Sequence, residues 1–369
     1  MAGLYVHIPF CKSRCIYCDF YSTASKSVNE TYILRLIEEL HYRQSFVKDK
    51  VTTLYFGGGT PSILTLVQLE KILTEIDKIF PLSGMEEVTF EANPDDLSVE
   101  YLRGLKELGI NRLSVGIQSF DDNYLTILGR RHNSQQAQNA VLQAHNIGFR
   151  NITIDLMFAL PQMTLAQWET TLAKSLLLPI NHISAYLLSQ EPNTALNTMV
   201  TKGLLTLPNE DNALTQFDFT DAFLRENGFI HYETSSYCLK DCYSKHNSNY
   251  WKRIPYLGIG ASAHSFNGLE RQWNVSNLKD YISKPLTDTL QTEILTSEQQ
   301  YEEYIMLSLR TIEGINLSTI QNEFPQFYDT FLQKANAQMS QGLLQLIDNN
   351  LVASHQGQHL LNQLIVSLF

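Results

Sequence analysis

Residues 8–20 read IPFCKSRCIYCDF, with three residues between Cys11 and Cys15 and two between Cys15 and Cys18. Three thiolates on one short loop can hold three irons of a cubane cluster, which leaves a fourth iron to be chelated by an outside molecule bearing an amine and a carboxylate. Zinc is the competing reading, but a closed zinc site takes four ligands and the loop supplies three. His7 could be the fourth, although it lies on the strand expected just before the loop.

Outward from this loop the chain alternates between two patterns. Short runs rich in Val, Ile, Leu, Tyr and Phe at 4–8, 53–56, 87–91, 112–118, 151–158 and 182–187 read as buried strands. Helical patterns at 29–43, 66–80, 99–108, 135–147 and 165–176 separate them. Strands joined through helices need right-handed crossovers and a parallel sheet, so the expected fold class is α/β, a partial (β/α)6 barrel related to the TIM barrel. Chemistry in such barrels sits at the C-terminal ends of the strands, which draws attention to Gly57, Gly58, Gly59, Glu91, Gln118 and Asp155.

A helical pattern at 210–227 follows, and then a stretch rich in Tyr, Cys and Asn, 232–251, breaks the rhythm; Gly258 and Gly260 read as a turn. From about 296 the pattern is helical through LLQLI, with short strand-like pieces at 351–353 and 359–361. The division expected is a barrel over 1–230, a connecting segment over 231–295, and a small, mostly helical, winged-helix-like domain over 296–369.

Composition limits the partners. Of 369 residues, 27 are Lys or Arg and 38 Asp or Glu, so the net charge of −11 disfavours nonspecific binding to nucleic acid or to an anionic membrane surface. No apolar run is long enough to span a bilayer, and MAGLYVHIPF lacks the pattern of a signal peptide, so a cytoplasmic protein is expected. Five cysteines, three of them within eight positions, make a poor disulfide framework and point to metal ligation. Cys238 and Cys242 read as ordinary buried thiols.

Further motifs follow the loop in order. GGGTP at 57–61 carries more glycine than a plain turn between strand and helix needs, and would let backbone approach a ligand. Glu91 in TFEANPDD, Gln118 in SVGIQSF and Asp155 in TIDLMFALPQ offer acceptors for ribose hydroxyls; helix capping is the plainer reading, and suits Asp95 and Asp96 better. LGRRHN supplies Arg130 and Arg131, for carboxylates or for surface ion pairs. His264 could line the site or support a turn.

CxxxCxxC after a first strand resembles the radical SAM superfamily, whose members bind S-adenosylmethionine (SAM) at a [4Fe–4S] cluster. The order YVHIPFC, GGGTP, FEANP, GIQSF, LGRRHN, DLMFALP is similar to the branch holding oxygen-independent coproporphyrinogen III oxidase and the heme chaperone HemW family; LSLRTIEGINL and LLQLIDNNLV extend the likeness to nearly the whole chain. By position, the resemblance implies cluster ligation by Cys11, Cys15 and Cys18. It implies SAM contacts from Tyr5, Tyr17, Gly58, Gly59, Thr60, Glu91, Gln118, Arg130 and Asp155.

Two features separate chaperone from oxidase. The oxidase resembles CxxxCxxCxC, whereas Asp19 and Phe20 follow Cys18 here. His246, Asn247, Tyr250 and Trp251 spell HNxxYW, similar to the motif proposed for heme in the chaperone group, with His246 as the iron ligand. The plain alternative is a polar loop whose aromatic pair plugs the barrel. No CxxCH is present, so attachment of the c-type is not expected. As the resemblance implies, the chain would deliver heme to acceptor hemoproteins, respiratory ones among them, touch a membrane peripherally and form a homodimer. No catalytic residue is assigned.

Overall fold

The computed structural model describes all of residues 1–369. Six strands, β1 (Ala2–Ile8), β2 (Val51–Gly58), β3 (Glu87–Ala92), β4 (Arg112–Gln118), β5 (Asn151–Phe158) and β6 (His182–Leu187), stand in sequence order and run parallel. Between them lie α1 (Glu30–Arg43), α2 (Leu66–Ile79), α3 (Val99–Glu107), α4 (Ser134–Ile147) and α5 (Leu165–Leu176). Each of these helices starts where a polar side chain accepts from a backbone N–H: Asn29, Thr65, Ser98, Asn133 and Thr164. Their apolar faces cover one side of the strands, so Leu54, Phe56, Phe90, Leu113, Ile152 and Ile154 are buried in one core with Leu36, Ile72, Leu105 and Trp168.

The sheet continues past the six strands. After α6 (Glu210–Glu226), β7 (Ile230–Glu233) and β8 (Ser236–Cys238) add an antiparallel pair beside β6. After α7 (Lys245–Trp251), β9 (Tyr256–Ile259) returns to pair in parallel with β1, followed by antiparallel β10 (His264–Phe266), β11 (Glu270–Asn274) and β12 (Leu290–Ile294). The order across the sheet is β12-β11-β10-β9-β1-β2-β3-β4-β5-β6-β8-β7. The stretch 231–295, expected as a connecting segment, therefore supplies strands to both edges. Gly258, expected in a turn, lies inside β9, where a Cβ would come 2.0 Å from the His264 carbonyl oxygen. Only a glycine lets β9 and β10 approach so closely.

A second core lies within 301–368. It packs α8 (Ser297–Ser308), α9 (Leu317–Glu323), α10 (Tyr328–Ser340), α11 (His355–His359) and α12 (Leu361–Leu368) against a small sheet of β13 (Ile315–Asn316), β14 (Leu344–Ile347) and β15 (Asn350–Ala353). Two expectations are corrected. LLQLI ends in strand rather than helix, because Asp348 and Asn349 both take positive φ and close a tight hairpin between β14 and β15. Residues 359–361 are helical rather than strand-like, since Leu364, Ile365 and Leu368 continue a period that a three-residue window cannot display. The domain docks on the barrel through backbone bonds from Thr234 to Arg310 (3.0 Å) and from Ile312 to Tyr232 (3.0 Å).

Candidate functional site

At the C-terminal ends of the parallel strands opens a cavity of about 380 Å³. Its wall includes Cys11, Cys15, Cys18, Tyr17, Gly58, Gly59, Thr60, Glu91, Gln118, Arg130 and Asp155. Four successive strands, β2 to β5, thus deliver their candidate residues to one place, and the loop carrying the cysteines forms its rim. Tyr5 is the exception: it lies below, its hydroxyl 3.0 Å from His7 Nδ1 and its ring stacked on Tyr55.

The glycines have specific partners. Gly58 has φ of +113°, and a Cβ there would strike the His7 ring at 2.7 Å; at Gly59 a Cβ would lie 2.9 Å from the Phe10 carbonyl and 3.0 Å from Cys11 Sγ. The GGGTP turn therefore packs directly against the cysteine loop. Thr60 donates its hydroxyl to Cys11 Sγ (3.3 Å), and Arg130 donates to Cys15 Sγ (3.4 Å), Asn93 Oδ1 (2.6 Å) and the Gly116 carbonyl (2.5 Å). Asn93 was not singled out in the sequence; its place two residues past Glu91 on the same strand end was the available signal. Gln118 takes φ of 68°, off the β region, at a bulge that ends β4 and turns its side chain to the cavity.

His7 does not serve as a fourth cysteine-loop ligand here: its ring nitrogens are taken up by Tyr5 and, at 3.3 Å, the Tyr21 carbonyl. The thiols are all free, and the cysteine sulfurs do not converge within 4.8 Å as the ligands of a single ion would. A tetrahedral zinc holds its sulfurs about 3.8 Å apart.

Two carboxylates face the cavity from inside the barrel. Burial raises the Glu91 carboxyl to about 7, against the opposing pull of the hydrogen bond that Tyr55 donates at 2.7 Å, and raises Asp155 to about 6 despite the Ser114 and Ser184 hydroxyls. Asp155 sits within β5, three residues from its end, facing the interior. Both arginines line the cavity; Arg130 reaches the cysteine loop, while Arg131 is held in ion pairs with Asp95 (2.9 Å) and Asp96 (3.3 Å). His264 stacks on Trp273 away from the cavity wall. Cys238 is buried, and Asn181 donates to Cys242 Sγ at 3.3 Å.

The HNxxYW segment occupies the opposite end of the barrel. It forms α7, whose first backbone N–H groups, those of Lys245 and His246, donate to the two carboxylate oxygens of Glu87 at 2.9 Å each. Ser244 supplies no side-chain cap, so Glu87 from the foot of β3 does so. His246 is 1% exposed; Nδ1 lies 2.9 Å from Thr53 Oγ1 and Nε2 2.9 Å from the Tyr250 hydroxyl, with Tyr55 stacked on the ring. Burial pushes the imidazole down to about 3, so it is neutral. In this conformation His246 pins α7, and both of its ring nitrogens are hydrogen-bonded. Asn247 faces the polar barrel axis with Arg112 and His182. Trp251 lines a cavity of about 1250 Å³ between the barrel foot and the C-terminal domain, beside Tyr243, Tyr304 and Phe266.

The fold and the cysteine-lined cavity define a radical SAM protein, and the model of the radical SAM superfamily matches residues 5–174; that of the HemN C-terminal domain matches 295–360. The solved structure of coproporphyrinogen III oxidase (HemN) from Escherichia coli shares the fold, with a TM-score of 0.85 over 100% of this chain and 89% of that one at 22% identity. The chain belongs to the heme chaperone HemW family: it is 38% identical over 322 residues to heme chaperone HemW of Lactococcus lactis, covering 87% of this chain and 84% of the relative. It is 35% identical over 374 residues to heme chaperone HemW of Bacillus subtilis, covering 98% of both.

The cofactors of a radical SAM protein are a [4Fe–4S] cluster and SAM, and the residues present fit them. Three free thiols line the same cavity as two buried carboxylates, neither of which makes an ion pair, although Arg130 and Arg112 act on Asp155 from further away. The ligand-free barrel holds protons on Glu91 and Asp155 that the unfolded chain gives up at lower pH. Their contribution to stability is therefore full below about pH 4 and lost as pH rises through about 7. A ligand bringing positive charge and hydroxyl donors binds better over the same interval. SAM affinity of the cluster-loaded protein, measured by equilibrium dialysis, is expected to rise from pH 5.5 to 8, and Glu91→Gln to flatten that rise; a pH-independent affinity in the wild type would contradict the role of the carboxylates.

Proposed function

We propose that this chain binds heme and delivers it to acceptor hemoproteins, with Cys11, Cys15 and Cys18 holding a [4Fe–4S] cluster whose open iron takes SAM. The observation that carries this reading is the similarity to heme chaperone HemW proteins along nearly the full length of both chains. Asp19 and Phe20 add support, since they stand in the cavity wall where an oxidase-like pattern has a further thiol.

When bound, the cluster and SAM together supply one-electron chemistry or a ligand-sensitive conformational signal. Glu91 and Asp155 orient hydroxyls, Gln118 and the Gly58–Thr60 backbone fix the small molecule laterally, and Arg130 holds Cys15 and the strand ends in register. Tyr17 covers the loop from the rim, and Tyr5 supports the layer beneath.

At the other end, the HNxxYW segment borders the cavity of about 1250 Å³, large enough for a macrocycle, with Trp251 offering an aromatic face and Lys245, Lys252 and Arg253 offering charge for propionates. Asn247 and Tyr250 would contact heme from the same helix. Ligation of iron by His246 requires α7 to leave its seat, breaking the bonds to Glu87 and Thr53, and the ring to give up its bond to Tyr250 on the same helix. In this reading, the buried conformation is the resting one and heme is admitted on opening.

Acceptors among respiratory hemoproteins would bring the chain to a membrane surface by peripheral contact, since no helix is long and apolar enough to cross one. We extend the reading to a homodimer at that surface.

Heme titration of the cluster-loaded protein, with coproporphyrinogen III decarboxylation assayed in the same preparation, tests the function. Stoichiometric binding, transfer to an apo-hemoprotein and no vinyl product are expected. Vinyl product and carbon dioxide without heme binding would restore the oxidase.

A further inference from the structure

One group of side chains brings three metal-ligating atoms within 4.8 Å of one another, and it lies apart from both ends of the barrel: Asp218, His355 and His359. We propose that these three hold a divalent transition-metal ion, zinc by the donor set, which clamps the C-terminal domain to the barrel. Asp218 belongs to α6 of the barrel; the histidines are the first and last residues of α11 in the C-terminal domain. Their spacing of four puts both imidazoles on one helix face, as chelating histidine pairs require.

The geometry converges on one point. Nε2 of His355 and of His359 lie 3.1 and 2.6 Å from the same oxygen, Asp218 Oδ1. The two rings are 4.5 Å apart between centroids. Ligand atoms around a tetrahedral zinc are about 3.4 Å apart, so a withdrawal of the carboxylate by less than about 1 Å opens the coordination volume. Of the two, only His359 hydrogen-bonds Asp218 in the absence of a metal.

Helix α11 is not free to turn its histidines elsewhere. Ser354 accepts from the Gly357 N–H (3.0 Å) and donates to the Gly342 carbonyl (2.6 Å), fixing the start of the helix. Gly357 is pressed on the backbone of Leu343, where a Cβ would lie 2.1 Å from the carbonyl oxygen. The ring of His359 also meets Phe217 edge-on. Phase and position of the pair are thus set by contacts that do not involve Asp218.

Two nitrogens and one oxygen suit zinc; calcium and magnesium prefer oxygen alone. His355 is 61% exposed on its side chain, so the fourth position faces solvent and takes water. The ion would tie residues 141 positions apart across the boundary between the two cores. It would also close one side of the apolar cavity of about 630 Å³ that His359 lines with Phe217, Leu361 and Val352.

The test uses tag-free, full-length protein with its iron–sulfur cluster loaded, titrated with zinc under anaerobic conditions. One zinc per chain beyond the cluster iron is expected, with an X-ray absorption spectrum showing nitrogen and oxygen ligands, imidazole among them, and no sulfur. Asp218→Ala, His355→Ala and His359→Ala are each expected to weaken binding at least about tenfold, the loss that even an outer-shell partner can cause. His41→Ala, on α1, is expected to leave it unchanged. Zinc is expected to raise the unfolding midpoint of the wild type and not that of His359→Ala. Sulfur ligation, absence of binding, or binding by the three variants as tight as that of the wild type would overturn the proposal.

Discussion

Thr53→Val is expected to tighten heme binding and His246→Ala to abolish iron ligation, although both loosen the same helix. Thr53 Oγ1 and the Tyr250 hydroxyl flank the His246 ring at 2.9 Å each; Tyr250 is on α7 itself, so the bond to Thr53 is the one that ties the ring to the barrel foot. If heme is bound only after α7 leaves, its apparent affinity is the intrinsic one reduced by the fraction of molecules already open. Loss of one buried hydrogen bond costs the closed state about 1 kcal/mol, so Thr53→Val raises the open fraction, and the affinity, about fivefold. His246→Ala removes a buried ring and leaves Thr53 and Tyr250 without it, a loss of about 2–4 kcal/mol of stability. The helix is then freer still, yet heme lacks its ligand. Absorbance titrations with heme, paired with thermal unfolding, separate the two effects. Wild-type heme ligation in His246→Ala would remove this residue as ligand; an unchanged or weaker affinity in Thr53→Val would remove the opening step.

Glu39→Ala is expected to lower stability by about 3–5 kcal/mol, the cost of leaving a buried charge without its counterpart. Glu39 is 0% exposed and accepts four bonds: from Arg43 (2.8 Å), Asn274 (2.6 Å), the Gly260 N–H (2.9 Å) and the Tyr281 hydroxyl (2.6 Å). Arg43, also buried, donates through its terminal nitrogens to the Gly258 carbonyl, Ser265 and Gln272, while its Nε has no partner. Through this pair α1 clasps β9, β10 and β11, and so holds the edge of the sheet next to the strand that carries the cysteine loop. The double variant Glu39→Met, Arg43→Met is expected to recover part of the loss, because replacing a buried ion pair by apolar groups costs less than breaking it. Chemical denaturation measures both. A loss below about 1 kcal/mol in Glu39→Ala would mean that the network adds little to the clasp.

The local signals in the chain were strong. Strands at 112–118, 151–158 and 182–187 carry the bounds expected of them, because each is a short, mostly buried run rich in β-branched and other apolar residues and followed by a helical pattern. Helices begin at the Asn, Ser or Thr caps visible in the sequence. The edge strands were less legible. Tyr256–Ile259 contains a glycine that looks like a turn, and its need appears only when β10 lies against it.

The sequence by itself determined the alternation of strand and helix, the cysteine loop, and the set of polar residues that meet at the strand ends, since all of these depend on neighbours a few positions apart. Only the tertiary structure decided that His246 is a buried pin, that Glu39 anchors the sheet edge, and that His355 and His359 face Asp218. Their partners are 193, 235 and 141 residues away in the chain. Whether an imidazole or a carboxylate is buried, paired or open to a ligand is set by desolvation and hydrogen bonding to groups that only the packed barrel brings within 3 Å, and spacing along the chain carries no record of them.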